Sequence, residues 1–302
     1  MSNQITIPDN ARYTFGGDEF LLVEIDEAMS LEANMRAVAI ARALQDRDVD
    51  GVVEICPANA SLLIRCDPDV IHPHDLRSLV QELEEEAKAG GPTTLDTRII
   101  EIPVWYQDEY TDAVVRKYRE GYHQDPSGTD VDYAAAINGL SDADEFVRRH
   151  HEQPWMVTMV GFVAGLPFMF QLADPDKQME VPKYLSPRPA GTPALTVGHG
   201  GAFGVIYSVE GAGGYQMIGI AAGPIFDPEQ RLSHFEESML FFRHGDIVKF
   251  TPIDGDEYRR LRQQVEDGTF EYRTVPVQFD SGQAVEDREG YNRTLMEALD
   301  GR

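Results

Sequence analysis

The stretch TVGHGGAFGVIYSVEGAGGYQMIGI, residues 196–220, constrains the chain more than any other, because eight of its twenty-five residues are glycine. Glycine permits positive φ and close backbone approach, so the tract suits a phosphate cradle, a hinge, or a barrel whose strands crowd against a ligand or partner. A Walker loop needs a lysine that reaches phosphate, and GHGGAFG has none. Its flanks also read as strands, where the Walker loop and the dinucleotide fingerprint both need a strand followed by a helix. Close backbone packing in a barrel is the expected role, with a substrate or partner groove as the alternative.

The segments around the tract support a barrel. From Pro154 onward, WMVTMVGF, PALTV, FGVIYSVE, YQMIGI, DIVKFTPI and FEYRTVPVQF are short strands separated by proline or glycine turns. The first hundred residues follow another rhythm. FLLVEI reads as a strand, SLEANMRAVAIARALQD as a helix capped by Ser30, and GVVEI with SLLIRC as paired strands. HDLRSLVQELEEEAKA is a second amphipathic helix that ends before Gly90 and Gly91, and TRIIEIPVWY returns as a strand. This βαββαβ order covers one face of an antiparallel sheet with two helices. The acidic run Glu82–Glu86 belongs to a solvated helix face, since Leu79 and Leu83 continue the buried stripe. Three helices are expected between the two patterns, in EYTDAVVRKYREGYH, DVDYAAAINGL and SDADEFVRRHHEQ, the last capped by Ser141. The fold class is α+β, with a sandwich domain over residues 1–105, a helical connector over 106–153, a barrel over 154–279 and a tail over 280–302 that holds a peripheral helix.

Charge narrows the partners. The 302 residues carry 52 acidic and 26 basic side chains, a formal charge of −26, and only five of the basic residues are lysine. Such a surface repels nucleic-acid backbones and anionic lipid headgroups. The lysine-poor bias fits a saline cytoplasm or a GC-rich genome equally well. MSNQITIPDN lacks the basic region and apolar core of a leader peptide, and no apolar run reaches membrane-spanning length. Cys56 and Cys66 fall at opposite ends of the expected hairpin, too far apart for a disulfide, so reduced thiols in a cytoplasmic protein are expected.

No self-contained catalytic motif emerges. His150 and His151 are adjacent on a helix and diverge, and His72 and His74 lack an acidic third ligand, so no metal site is expected. The GxSxG nucleophile elbow does not occur. Candidate groove residues remain. Arg188, held between Pro187 and Pro189, is placed to clamp a carboxylate through its guanidinium fork. Phe162 and Pro167 lie in GFVAGLPF; Tyr207 and Gln216 offer groups that orient an amide or carboxylate. Glu210 and His199 are the candidate acid or base.

Taken in order, NGLSDADEFVRRH, MVTMVGFVAGLPFMFQL, PRPAG, TVGHGGAFGVIY, GAGGYQMIG, DPE and FFRHGDIVKFTPI resemble the KipI family, also called allophanate hydrolase subunit 1 or the 5-oxoprolinase B subunit. The resemblance spans roughly residues 13–254 and extends to the carboxyltransferase portion of biotin-dependent urea carboxylase. It implies an N-terminal α/β domain followed by a cyclophilin-like antiparallel β-barrel, and a KipA-like partner whose barrel pairs with this one. It implies a hydrolase hetero-oligomer that uses ATP, with a further LamB/YcsF-like subunit, to open 5-oxoproline to glutamate. It implies as alternatives the transfer of a carboxyl group from carboxybiotin to urea or an amide, and inhibition of a histidine kinase. No cofactor is expected in this chain itself.

Four positions depart from the family pattern. Phe203-Gly204 stands where a Gln-Thr pair is usual, Tyr215 where tryptophan is, Ile220 where arginine is, and His199 where an apolar residue is. These departures point toward another substrate or a more structural role.

Overall fold

The structure, a computed structural model, describes residues 7–301; part of the segment read for a leader, residues 1–6, and Arg302 lie outside the described residues. The chain divides into two compact units. One comprises the chain up to Asp96 with Gln278–Tyr291, the other Thr97–Val277 with the residues from Asn292 onward.

The first unit is a four-stranded antiparallel sheet with two helices. Its elements are β1 (Arg12–Gly16), β2 (Phe20–Glu24), α1 (Leu31–Asp46), β3 (Val52–Ala58), β4 (Ser61–Cys66) and α2 (Pro73–Ala89), with strand order β1-β2-β4-β3. Burial alternates along β2 and β4: Leu21, Val23, Leu62 and Ile64 join the core while their neighbours do not. Ser30 caps α1 as expected, its Oγ accepting from the Ala33 amide at 3.1 Å. In α2, Leu76, Val80 and Leu83 form the buried stripe, Pro73 opens the first turn, and Gly90 follows as the C-cap. The acidic run is solvated at Glu82, Glu85 and Glu86, whereas Glu84 is buried. Its carboxylate accepts from the Ala11 amide at 2.8 Å and the Tyr13 hydroxyl at 2.6 Å, and so anchors β1, a strand the sequence pattern does not announce. Cys56 and Cys66 are free thiols opposite Leu63 and Val52 respectively.

The chain leaves this unit along β5 (Thr94–Tyr106), the last strand of the expected βαββαβ order, which then pairs within the second unit. Three helices follow as expected: α3 (Glu109–Tyr122), α4 (Asp130–Ile137) and α5 (Ala143–Glu152). Asp142 caps α5 in place of Ser141, its carboxylate accepting from the Glu145 amide at 2.8 Å. The short strands are β6 (Trp155–Val160), β7 (Pro167–Gln171), β8 (Arg188–Thr192), β9 (Thr196–Gly200), β10 (Phe203–Ile206), β11 (Gly211–Gly213), β12 (Gln216–Ala221) and β13 (Ile247–Pro252). Then come α6 (Gly255–Glu266), β14 (Thr274–Asp280), α7 (Ser281–Glu286) and α8 (Arg288–Asp300). The described part of the tail, 280–301, is therefore largely helical.

Seven strands close on themselves in the order β12-β9-β10-β7-β6-β13-β5, with β5 pairing back onto β12, while β14 neighbours β5. The barrel is antiparallel except at β5 and β13, which run parallel from Ile99 opposite Ile247 to Val104 opposite Pro252. Its core includes Trp155, Val157, Met169, Val197, Ile206, Ile218, Val248 and Phe250.

Several glycines of the 196–220 tract have a physical cause in their neighbours. A Cβ at Gly200 would lie 2.6 Å from the Tyr215 ring, one at Gly204 3.2 Å from Trp155, and one at Gly219 2.7 Å from the Trp105 carbonyl. Aromatic rings and a neighbouring backbone occupy the space that side chains would fill. No helix among the described residues is long and apolar enough to cross a membrane.

Candidate functional site

The most unusual chemistry in the second unit surrounds a carboxylate the sequence pattern does not single out. The last turn of α3 is not helical: Gly121 turns the chain at φ +83°, a conformation that favours glycine. The turn is followed by His123 and a loop in which Asp125 accepts from the Ser127 amide and hydroxyl at 2.8 and 2.7 Å. Thr129 and Asp132 then form a reciprocal capping box that starts α4. This places Asp130 in the first turn of α4, fully buried.

Asp130 accepts from Arg119 Nη1 at 2.5 Å, from the Tyr184 hydroxyl at 2.8 and 2.9 Å, and from the Met217 amide at 2.8 Å. Burial raises its pKa above the ordinary carboxylate value, against the Met217 amide, Tyr184, Arg119 and Arg188, which all pull the other way. Arg119 also donates to the carbonyls of Ser127 and Thr129 at 2.7 and 3.1 Å, so its charge is paired and its fork is largely used. Burial, and then the charge of Asp130, raise the Tyr184 phenol, which stays protonated and donates.

Arg188 stacks on this platform, its guanidinium carbon 4.5 Å from the centre of the Tyr184 ring. It has no solvent exposure, and its Nε donates to Thr192 Oγ1 at 3.1 Å. Neither Nη1 nor Nη2 meets a hydrogen-bond acceptor among the described residues. The Tyr207 hydroxyl lies beside Arg188 and feels its charge. Burial raises the Tyr207 pKa, while Arg188 and the Tyr215 and Gly214 amides oppose the rise. A guanidinium keeps its charge in proteins, and leaving one buried without a counter-ion costs several kcal/mol.

The expected site residues divide. Arg188 and Tyr207 come together, joined by Thr192. The loop that carries exposed Phe162, at φ +70°, and buried Pro167 adjoins them, because Leu166 and Val163 pack in one apolar cluster with Tyr207 and Tyr215. Gln216 is buried and committed: its Oε1 meets His123 Nε2 at 2.9 Å and its Nε2 donates to the Pro182 carbonyl at 2.8 Å. It supports the platform from behind, since His123 lies edge-on to Tyr184 with ring centres 4.6 Å apart. His199 is buried with its Nε2 3.1 Å from the Met179 carbonyl, among the rings of Phe146, His150 and Trp155. Burial holds its pKa down at about 4. Strand alternation puts it on the opposite face of β9 from Gly198 and Gly200, which meet Tyr207 and Tyr215. Glu210 is exposed in the bend before β11.

Asp130, Arg119, Tyr184 and Thr192 escape a reading of the sequence. The single local signal is the Thr129–Asp132 capping box, which marks the start of α4. No three His, Cys, Asp or Glu side chains gather to hold a metal ion among the described residues.

Residues 11–235 match the family described as "Carboxyltransferase domain, subdomain C and D". The chain belongs to this family. This carboxyltransferase-domain chain is 28% identical over 256 residues to the 5-oxoprolinase B subunit of Bacillus subtilis (strain 168), covering 82% of this chain and 95% of that protein. It is 26% identical over 291 residues to urea amidolyase of Lachancea kluyveri, covering 95% of this chain but only 15% of that protein. Its fold superposes on K. lactis urea amidolyase with a TM-score of 0.82 at 22% identity, over 99% of this chain and 18% of that one. The chain thus spans nearly the full length of one relative and a small part of the others.

Proposed function

We propose that this chain is one subunit of an ATP-dependent 5-oxoprolinase-like complex that opens a lactam or small amide, working with a KipA-like partner and a LamB/YcsF-like subunit. The observation that carries this reading is the buried Arg188 guanidinium with both Nη groups unpartnered. A substrate such as 5-oxoproline bears a carboxylate for Arg188, which the Tyr207 hydroxyl helps to orient. Ring opening adds water across the C–N bond and gives glutamate. Of the two candidates for proton transfer, Glu210 is exposed to solvent, whereas His199 is enclosed. Aromatic rings crowd Gly198, Gly200 and Gly204 of the glycine tract, where a nucleotide-binding loop would need open backbone. The nucleotide site is assigned to another subunit. The match to 95% of the length of a 5-oxoprolinase B subunit supports this subunit-sized role.

A carboxyltransferase component of a biotin-dependent urea or amide carboxylase is the second reading. It is favoured by the urea amidolyase match, which extends over 95% of this chain against 82% for the 5-oxoprolinase relative. Here Arg188 would hold the carboxylate that carboxybiotin supplies for transfer. The two readings separate when the chain is reconstituted with its neighbouring-gene products and given 5-oxoproline, urea and related amides with ATP, with and without a biotinylated carrier. Glutamate release without the carrier supports the first reading. Strict dependence on the carrier overturns it in favour of the second, and inhibition of a histidine kinase with no turnover overturns both.

A further inference from the structure

The ribbon formed by β8 and β11 contains a glycine whose missing side chain matters for a reason other than backbone freedom. Gly213 pairs with Arg188 and Gly211 with Thr192, across a register shift. A Cβ at Gly211 would meet nothing within 4 Å. A Cβ at Gly213 would lie 2.6 Å from the Tyr207 hydroxyl, 2.9 Å from Arg188 Nη2 and 2.9 Å from Thr192 Oγ1. Neither glycine has the left-handed φ that only glycine tolerates. Alanine at 213 is therefore opposed by those three polar tips and not by the backbone.

The three tips make an unusual set. Arg188 contributes two unpartnered Nη groups, and Tyr207 contributes a hydroxyl. The Thr192 oxygen already accepts from Arg188 Nε, which leaves its own proton to donate. The charge is a single positive one, because Asp130 is engaged by Arg119. One cation surrounded by donors complements a planar monoanion with lone pairs on two oxygens. A neutral amide would bring N–H groups against donors and leave the charge uncompensated.

We propose that Gly213 sets the specificity of this site for a carboxylate monoanion, its absent side chain allowing Tyr207, Arg188 and Thr192 to converge as one donor set. The proposal rests on the reading that Arg188 holds the carboxylate of the substrate, and it adds the residue that makes the site selective.

The test titrates the full chain calorimetrically with acetate, L-5-oxoproline and the neutral lactam 2-pyrrolidinone at fixed ionic strength, in wild type, Gly213→Ala and Gly211→Ala. Wild type is expected to bind at least one of the carboxylates and not the neutral lactam. Gly213→Ala should weaken carboxylate binding by about tenfold or more, and Gly211→Ala should leave it unchanged. The proposal is overturned by unchanged affinity in a folded Gly213→Ala chain, by 2-pyrrolidinone binding as well as acetate, or by no carboxylate binding in wild type. If Gly213→Ala does not fold, Tyr207→Phe removes one donor while keeping the ring, and unchanged carboxylate affinity there overturns the proposal equally. Acetate binding that depends on Gly213, in a chain whose complex turns over no 5-oxoproline, supports this inference while removing the 5-oxoprolinase reading.

Discussion

Replacing Asp130 with asparagine removes one charge from a group with no solvent exposure, opposite an arginine that is 5% exposed. The amide keeps its oxygen for Arg119 and turns its NH2 toward the Met217 amide, a donor facing a donor, while the Tyr184 hydroxyl can rotate to accept. Breaking a buried ion pair from one side typically costs about 3–5 kcal/mol, because the remaining charge is stranded. That is a large share of the roughly 5–15 kcal/mol by which domains are stable. Both tryptophans of the chain, Trp105 and Trp155, lie in the second unit, so tryptophan fluorescence during urea unfolding at fixed salt reads this unit alone. Asp130→Asn should lower its unfolding free energy by about 3–5 kcal/mol, and the double variant Asp130→Asn with Arg119→Met should recover part of the loss. A loss below about 1 kcal/mol, or simple additivity in the double variant, would refute the reasoning.

The same fluorescence assay checks two further expectations. Because His199 takes a proton only near pH 4 in the fold and near 6.5 when unfolded, the second unit should lose stability as pH falls from about 6.5 toward 4. At 1.36 kcal/mol per pH unit the share of His199 in this loss is on the order of 3 kcal/mol, beside those of His150 and His234, and a His199→Phe slope as steep as wild type would count against it. Gly200→Ala, whose Cβ would sit 2.6 Å from the Tyr215 ring, should cost about 1–3 kcal/mol, and a midpoint equal to wild type would show that the ring moves freely.

Much of the architecture was legible because it follows from periodicity. The alternation in FLLVEI and SLLIRC and the helical stripe in α2 are local, and the structure places them as read. The β1 strand RYTFG was not legible, since it is five residues long with no fully buried position, only Tyr13 and Phe15 resting on the core, and its anchor, Glu84, sits in what reads as a solvated acidic run. The parallel pairing of β5 with β13 joins residues about 150 positions apart, and nothing local announces it. At the site, Arg188 was visible because two prolines flank it. The groups that support it were not: Arg119, Asp130, Tyr184 and Met217 meet only through tertiary folding. Gln216 and His199 are polar residues in a glycine-rich tract, yet their bonds to His123, Pro182 and Met179 come from segments that no spacing rule connects to them.

The most direct test of the central claim is glutamate formation from L-5-oxoproline and ATP by the complex purified from its native cell, measured with and without avidin. The account predicts glutamate release that avidin does not block and that a complex carrying Arg188→Met in this chain loses, with the assembled subunits unchanged. Release abolished by avidin, or undiminished turnover with Arg188→Met, would contradict it.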